Sequence, residues 1–137
     1  MIRIIFFLII FFNFSLLKSE DITNSIEADK IEYLNVDGKI KAIGSVKIIQ
    51  NEYELNADEI SFNQKNDIVE GTGNIILEKI GGEKIFASKI KLSSDLTNGI
   101  IENPTLQTID GLNISSAYAI RSNGNSLILK KGIFSPC

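Results

Sequence analysis

Carboxylates near the start of the chain are the first side chains whose types could do chemistry. Glu27, Asp29 and Glu32 are close in sequence, and neighbouring carboxylates can transfer protons or bind a divalent cation. They alternate with apolar residues, however, as charges on the exposed face of a strand do. We interpret the three carboxylates as a solvated surface and predict no metal site.

The sequence lacks residues on which nucleophilic catalysis usually depends. The chain contains no histidine, which is the commonest general base. Gly71-Thr72-Gly73 is a fragment of a phosphate-binding loop, but no Lys-Ser pair follows it. Glycines at this spacing also occur where strands pack closely, and we interpret Gly71 and Gly73 in that way. We predict a protein that is not an enzyme and uses no cofactor.

The 14 lysines and arginines are spread along the chain, and the net charge is −3. Nucleic-acid-binding surfaces are clustered and basic. We therefore predict no nucleic-acid partner.

Residues 1–19 have the features of a secretory signal peptide. Arg3 precedes an apolar run over residues 4–12, and Ser19 stands before a polar stretch. Even when it is extended to Leu17, the run is shorter than the roughly 20 residues that span a membrane. We predict cleavage near Ser19, export from the cytoplasm and one folded domain over residues 24–134.

The rest of the sequence alternates between apolar and polar residues, as half-buried strands do. In residues 53–77 two alternating segments flank a polar turn at residues 63–67. Alanine recurs at equivalent points, at Ala28, Ala57, Ala87 and Ala117. This period is typical of stacked supersecondary units, and it predicts about four units of two strands each.

Each unit contains an irregularity that shapes the predicted fold. Ala57 and Ile60 are three positions apart, so they cannot share one face of a regular strand. A bulge at Asp58-Glu59 would turn both side chains inward. Because the other units have the same offset, the strands would bend together and wrap around an axis. We predict an all-β protein, a slotted and twisted β-jelly roll.

Apolar side chains on the predicted inner faces are candidates for lipid contact. They are Tyr33, Val46, Leu55, Phe62, Ile75, Leu77, Leu92 and Leu129. A closed core explains the same residues, and the sequence does not distinguish a core from an open trough. The two end strands, near residues 26–33 and 127–134, would present unpaired edges that can add strands from other chains.

Two successive units resemble a known repeat. Ala28-Asp29-Lys30-Ile31-Glu32-Tyr33, followed by Gly38 and Lys41-Ala42-Ile43-Gly44-Ser45-Val46, resembles the repeat of the LptA/OstA-like periplasmic domain family, and residues 57–62 with 69–75 repeat it. The resemblance covers residues 24–134. It implies a periplasmic jelly roll that carries lipopolysaccharide towards the outer membrane, with the lipid A acyl chains inside. It also implies edge-strand pairing with other members of the family.

The end of the chain resembles one branch of that family. Residues 130–137, which end in Cys137, are similar to the junction that follows the N-terminal jelly roll of LptD-type members, the outer-membrane assembly proteins. The resemblance implies a disulfide at Cys137, an outer-membrane assembly partner and, over residues 135–137, a junction to a C-terminal region. A free-standing LptA-type bridge protein is the alternative within the family, and an adaptor domain with a closed core is the alternative outside it.

Overall fold

The computed structural model describes residues 24–34 and 38–136. The predicted signal peptide and Cys137 lie outside these ranges. The described chain forms strands, paired antiparallel in one sheet: β1 (Ser25–Glu27), β2 (Lys30–Leu34), β3 (Lys39–Gln50), β4 (Tyr53–Asn63), β5 (Ile68–Lys79), β6 (Lys84–Ser93), β7 (Gly99–Glu102), β8 (Thr105–Gln107), β9 (Leu112–Ser115), β10 (Tyr118–Ser122), β11 (Ser126–Lys130) and β12 (Ile133–Pro136). Within these two ranges there is no helix with the length and apolar character needed to cross a membrane. The predicted all-β fold is confirmed.

The long strands β3 to β6 bend near their middle and divide the sheet into two layers. In layer A, β2 is followed by one half of each long strand and then by β7, β10 and β11. In layer B, β1 is followed by the other halves and then by β8, β9 and β12. Because the buried residues of both layers form one apolar cluster, the layers pack face to face.

Register shifts mark the bends. The pairing of β4 with β5 shifts between Asn56 and Glu59, at the predicted bulge. Shifts at the same level occur between β3 and β4 and between β5 and β6. Ala57 and Ile60 are both buried in consequence. The bend therefore keeps one face of each long strand inside both layers, as the alanine spacing predicts.

Glycine is required at two of the bends for conformational reasons. Gly44 and Gly73 have φ of 83° and 77°, and a Cβ atom at either would lie 2.4 Å from Oδ2 of Asp29 or Asp58. Asn103 stands at the next equivalent position with φ of 50°, and asparagine tolerates this region better than most residues.

Gly71 has a different role, the one predicted for it. It is buried, and a Cβ atom there would lie 3.0 Å from each of three isoleucines, Ile60, Ile75 and Ile90. For Gly73 the packing interpretation is incomplete, because its left-handed backbone at the bend is the stronger constraint.

Cross-strand rows build the inner face. One row in layer A runs through Ile31, Ala42, Ile60, Gly71, Ile90, Ile101, Ala119 and Leu129. On the outer face, exposed ion pairs join neighbouring strands, such as Lys41 to Glu59 at 2.9 Å and Lys84 to Glu78 at 3.6 Å. Apolar residues thus face inward and charged pairs face solvent, as the alternation predicts.

Candidate functional site

A slot lies where the strand ends of the two layers face each other. At the N-terminal end of the sheet this slot contains a cavity of about 350 Å³. The cavity is lined by Asn24, Ser25, Ile26, Ile48, Gln50, Phe62, Val69 and Ser94. Its volume is near the lower end of the roughly 300–1,000 Å³ that is typical of small-molecule sites.

The walls of the cavity are apolar and its rim is polar. Ile26 and Ile48 come from layer B, and Phe62 and Val69 come from layer A. The four side chains belong to the inner-face rows, so they continue the surface of the core. A ligand that fits here would place an apolar part between the layers and a polar part at the opening.

The structure places the eight predicted lipid-contact residues in three environments. Val46, Leu55, Ile75, Leu77 and Leu92 are buried in the core. Phe62 and Leu129 are half-buried against it. Tyr33 is 60% exposed, because β2 is the first strand of layer A and none of the described strands covers its outer edge. Only Phe62 lines the cavity.

A buried cluster lies at the loop between β6 and β7, and the sequence gives little sign of it. Leu96, in the loop between β6 and β7, is 0% exposed and has φ of 65°. The Nε atom of Arg121 donates a hydrogen bond of 2.8 Å to the carbonyl oxygen of Leu96. The guanidinium carbon of Arg121 lies 4.8 Å from the centre of the Tyr53 ring.

Tyr53 connects the two layers. It begins β4 in layer B, and its hydroxyl donates a hydrogen bond of 3.0 Å to the carbonyl oxygen of Gly124, in the β10–β11 turn of layer A. Arg121 is 7% exposed, and its Nη2 atom contacts no acceptor among the described residues. Leu96, Arg121 and Tyr53 thus connect the β6–β7 loop and β10 of layer A with the start of β4 in layer B.

The N-terminal carboxylates remain at the surface. Lys30 pairs with Glu32 at 2.9 Å, and this hydrogen bond and the positive charge lower the pKa of Glu32. Within residues 24–34 and 38–136, no three histidine, cysteine or acidic side chains lie together as a metal site would need. The aspartates at the bends instead lie beside the backbone of Gly44 and Gly73.

The edges of the sheet expose apolar side chains. Among the described strands of layer A, β2 pairs with β3 alone, and β11 pairs with β10 alone. Ile31 and Tyr33 on β2 are more than half exposed. At the other end of layer B, Ile133 and Phe134 on β12 are also exposed. These strands could therefore accept another strand at their free edge.

The sequence profile of one family, described as "LptA/(LptD N-terminal domain) LPS transport protein", matches residues 25–123. This match covers most of the folded chain, including both repeats that suggested the resemblance. The chain belongs to this family. It therefore has a role in lipopolysaccharide transport, and the LptA/LptD family is not one of enzymes.

A solved structure has the same fold as this LptA/LptD-type domain. It is LptH from Pseudomonas aeruginosa, described as the LptA-homologous periplasmic component of the conserved lipopolysaccharide transport device. The two chains superpose with a TM-score of 0.68 at 12% identity, over 80% of this chain and 82% of LptH. Among curated proteins, no sequence matches this chain significantly.

Proposed function

We propose that this domain is a periplasmic conduit that shields the acyl chains of lipid A in its slot while the saccharide stays in solvent. The observation that carries the proposal is the cavity between the layers, with Ile26, Ile48, Phe62 and Val69 on its walls. Exposing each methylene of an acyl chain to water costs about 0.8 kcal/mol. An apolar cavity with a polar rim lowers that cost and leaves room for a polar head group.

Transport by such a domain is passive. The chain offers no nucleotide-binding loop in its sequence, so direction comes from other components of the pathway. The domain would be exported to the periplasm and would act at or near the outer membrane. Its free edges on β2, β11 and β12 would pair with other proteins of the Lpt type and form one longer groove.

We also propose that the chain is of the LptD type, that it acts with an outer-membrane assembly partner and that Cys137 forms a disulfide. The free-standing LptA type is the alternative. Electrophoresis under non-reducing conditions, with Cys137→Ser as control, tests the disulfide. A band that is the same with and without reductant would contradict it.

One observation favours a second function, that of an adaptor with a closed core. Leu55, Leu77 and Leu92 are packed in the interior with almost no exposed surface. If the layers never separate, lipid could enter no further than the cavity. The domain would then act through its edges alone.

A photo-crosslinking residue in place of Phe62 tests the conduit. Phe62 lines the cavity, whereas Thr72 lies in the same layer on the exposed outer face. We expect the residue at position 62 to capture lipid A, and the same residue at position 72 to serve as the control. Capture is measured by the mobility shift of the crosslinked chain. No capture at position 62, or equal capture at both positions, would contradict the conduit and favour the adaptor.

A further inference from the structure

The cavity does not continue along the whole slot. The loop of residues 93–98 brings Leu96 into the interior, where its side chain is 0% exposed. Leu96 joins the same apolar cluster as the strands of both layers. In the strand order of layer A, Leu96 therefore lies between the strands that line the cavity and β11, which carries Leu129.

The loop is held in shape by its own polar groups. The carboxylate of Asp95 accepts hydrogen bonds from the Ser93 hydroxyl and from the Thr97 hydroxyl, the latter at 2.7 Å. The amide of Ser93 donates to the carbonyl oxygen of Asn98 at 2.7 Å. These bonds let a leucine keep a left-handed backbone, which is unfavourable for a branched side chain.

Tyr53 links the loop region to layer B, because Arg121 lies on β10 of layer A. Arg121 donates to the carbonyl oxygen of Leu96 and stacks on Tyr53, and Tyr53 donates to Gly124.

We propose that residues 93–98, Arg121 and Tyr53 form a latch that closes the slot and must open before an acyl chain can pass from the cavity to the C-terminal half of the domain. This inference rests on the proposed function. It adds that passage is gated inside the domain and that Leu96 is the side chain an acyl chain displaces.

Photo-crosslinking from two positions tests the latch in the full chain. A crosslinking residue at position 62 reports lipid A in the cavity, and one at position 129 reports lipid A beyond the latch. With the latch intact we expect strong capture at position 62 and weak capture at position 129. Tyr53→Phe removes only the hydroxyl that reaches Gly124, and we expect it to raise capture at position 129 about fivefold, the effect of losing one hydrogen bond.

Two further variants control the experiment. Tyr118→Phe removes a hydroxyl from an exposed tyrosine on β10, and it should leave capture at both positions unchanged. Arg121→Gln removes the charge and the stacking, and it should act in the same direction as Tyr53→Phe. Thermal unfolding of each variant establishes that the chain is folded when capture is measured.

The outcomes separate the latch from the conduit. Absence of capture at position 62 in every variant overturns the conduit and the latch together. Capture at position 62 with equally strong capture at position 129 in the unmodified chain overturns the latch alone. The latch is also overturned if Tyr53→Phe and Arg121→Gln leave capture at position 129 unchanged. Increased capture at position 129 in both variants, with no change in Tyr118→Phe, supports it.

Discussion

At the scale of single residues, the bends depend on a close match between a glycine and an aspartate. The added Cβ atom of an alanine at position 73 would lie 2.4 Å from Oδ2 of Asp58. The Nδ2 atom of the Asn74 side chain also donates a hydrogen bond of 2.9 Å to that oxygen. The carboxylate is therefore held in place and cannot move aside without loss.

We expect Gly73→Ala to lower the free energy of unfolding by about 1–3 kcal/mol, the usual cost of a strained backbone position. Gly81→Ala is the matched control, because Gly81 has φ of 79° but an added Cβ atom there meets nothing within 4 Å. Denaturant unfolding of both variants measures the difference. Equal losses would mean that backbone strain alone matters and that Asp58 does not restrict the position.

Asp95 is expected to make the stability of the fold depend on pH under acidic conditions. Hydrogen bonds from Ser93 and Thr97 lower the pKa of Asp95 below its ordinary value of 3.8. A depressed pKa in the folded state stabilises the protein above the unfolded pKa, and this contribution is lost as the pH falls through the folded pKa. We expect Asp95→Asn to make unfolding less dependent on pH below about pH 4.

Thermal unfolding between neutral pH and pH 2.5 measures this effect, with Asp110→Asn as the control. Asp110 lies in the exposed turn between β8 and β9. If both variants follow the pH profile of the unmodified chain, the hydrogen bonds of Asp95 contribute nothing to acid stability.

At the scale of strands, the free edges are the positions where the sheet can add a further strand. Strand β2 has five residues and pairs on one side only. Ile31 is 52% exposed, although its row continues into the core. Such a strand is short, but it carries apolar side chains where solvent-facing edges usually carry charge.

We expect Ile31→Lys to weaken edge-to-edge association of the domain without changing its stability by more than about 0.5 kcal/mol, as for other exposed substitutions. A lysine at the edge opposes the approach of a further strand. Ile109→Lys is the control, because Ile109 is 73% exposed but lies in a turn. Sedimentation velocity, alone and with a second protein of the Lpt type, measures association. If both variants associate as the unmodified chain does, the edge on β2 is not an interface.

At the scale of the whole molecule, the sequence predicts the strands well because burial alternates regularly along them. The offset between Ala57 and Ile60 even predicts the bend, since both must be buried on one strand. Tyr33 is a residue for which alternation predicts burial but the structure shows exposure. Alternation places its side chain on the inner face, but the strand order decides whether another strand covers it.

The burial of Leu96 and Arg121 could not be predicted in the same way. Leu96 lies in a loop with no periodic pattern, and its burial depends on a left-handed backbone conformation. Arg121 lies at an inner-face position opposite Leu127, where an apolar residue is expected. Its burial depends on Tyr53, which is distant in sequence. Contacts of this kind follow from the packing of the layers and not from the order of residue types.

The pairing order of the long strands also determines how the domain can change in size. Each of β3 to β6 contributes to both layers, and within this group each strand pairs with the next one along the chain. Adding one further unit of two strands would therefore lengthen both walls together, by about 10 Å at the usual strand spacing. It would leave the bends of the other units undisturbed. The length of the slot is thus set by the number of two-strand units in the chain, and it changes only in steps of one unit.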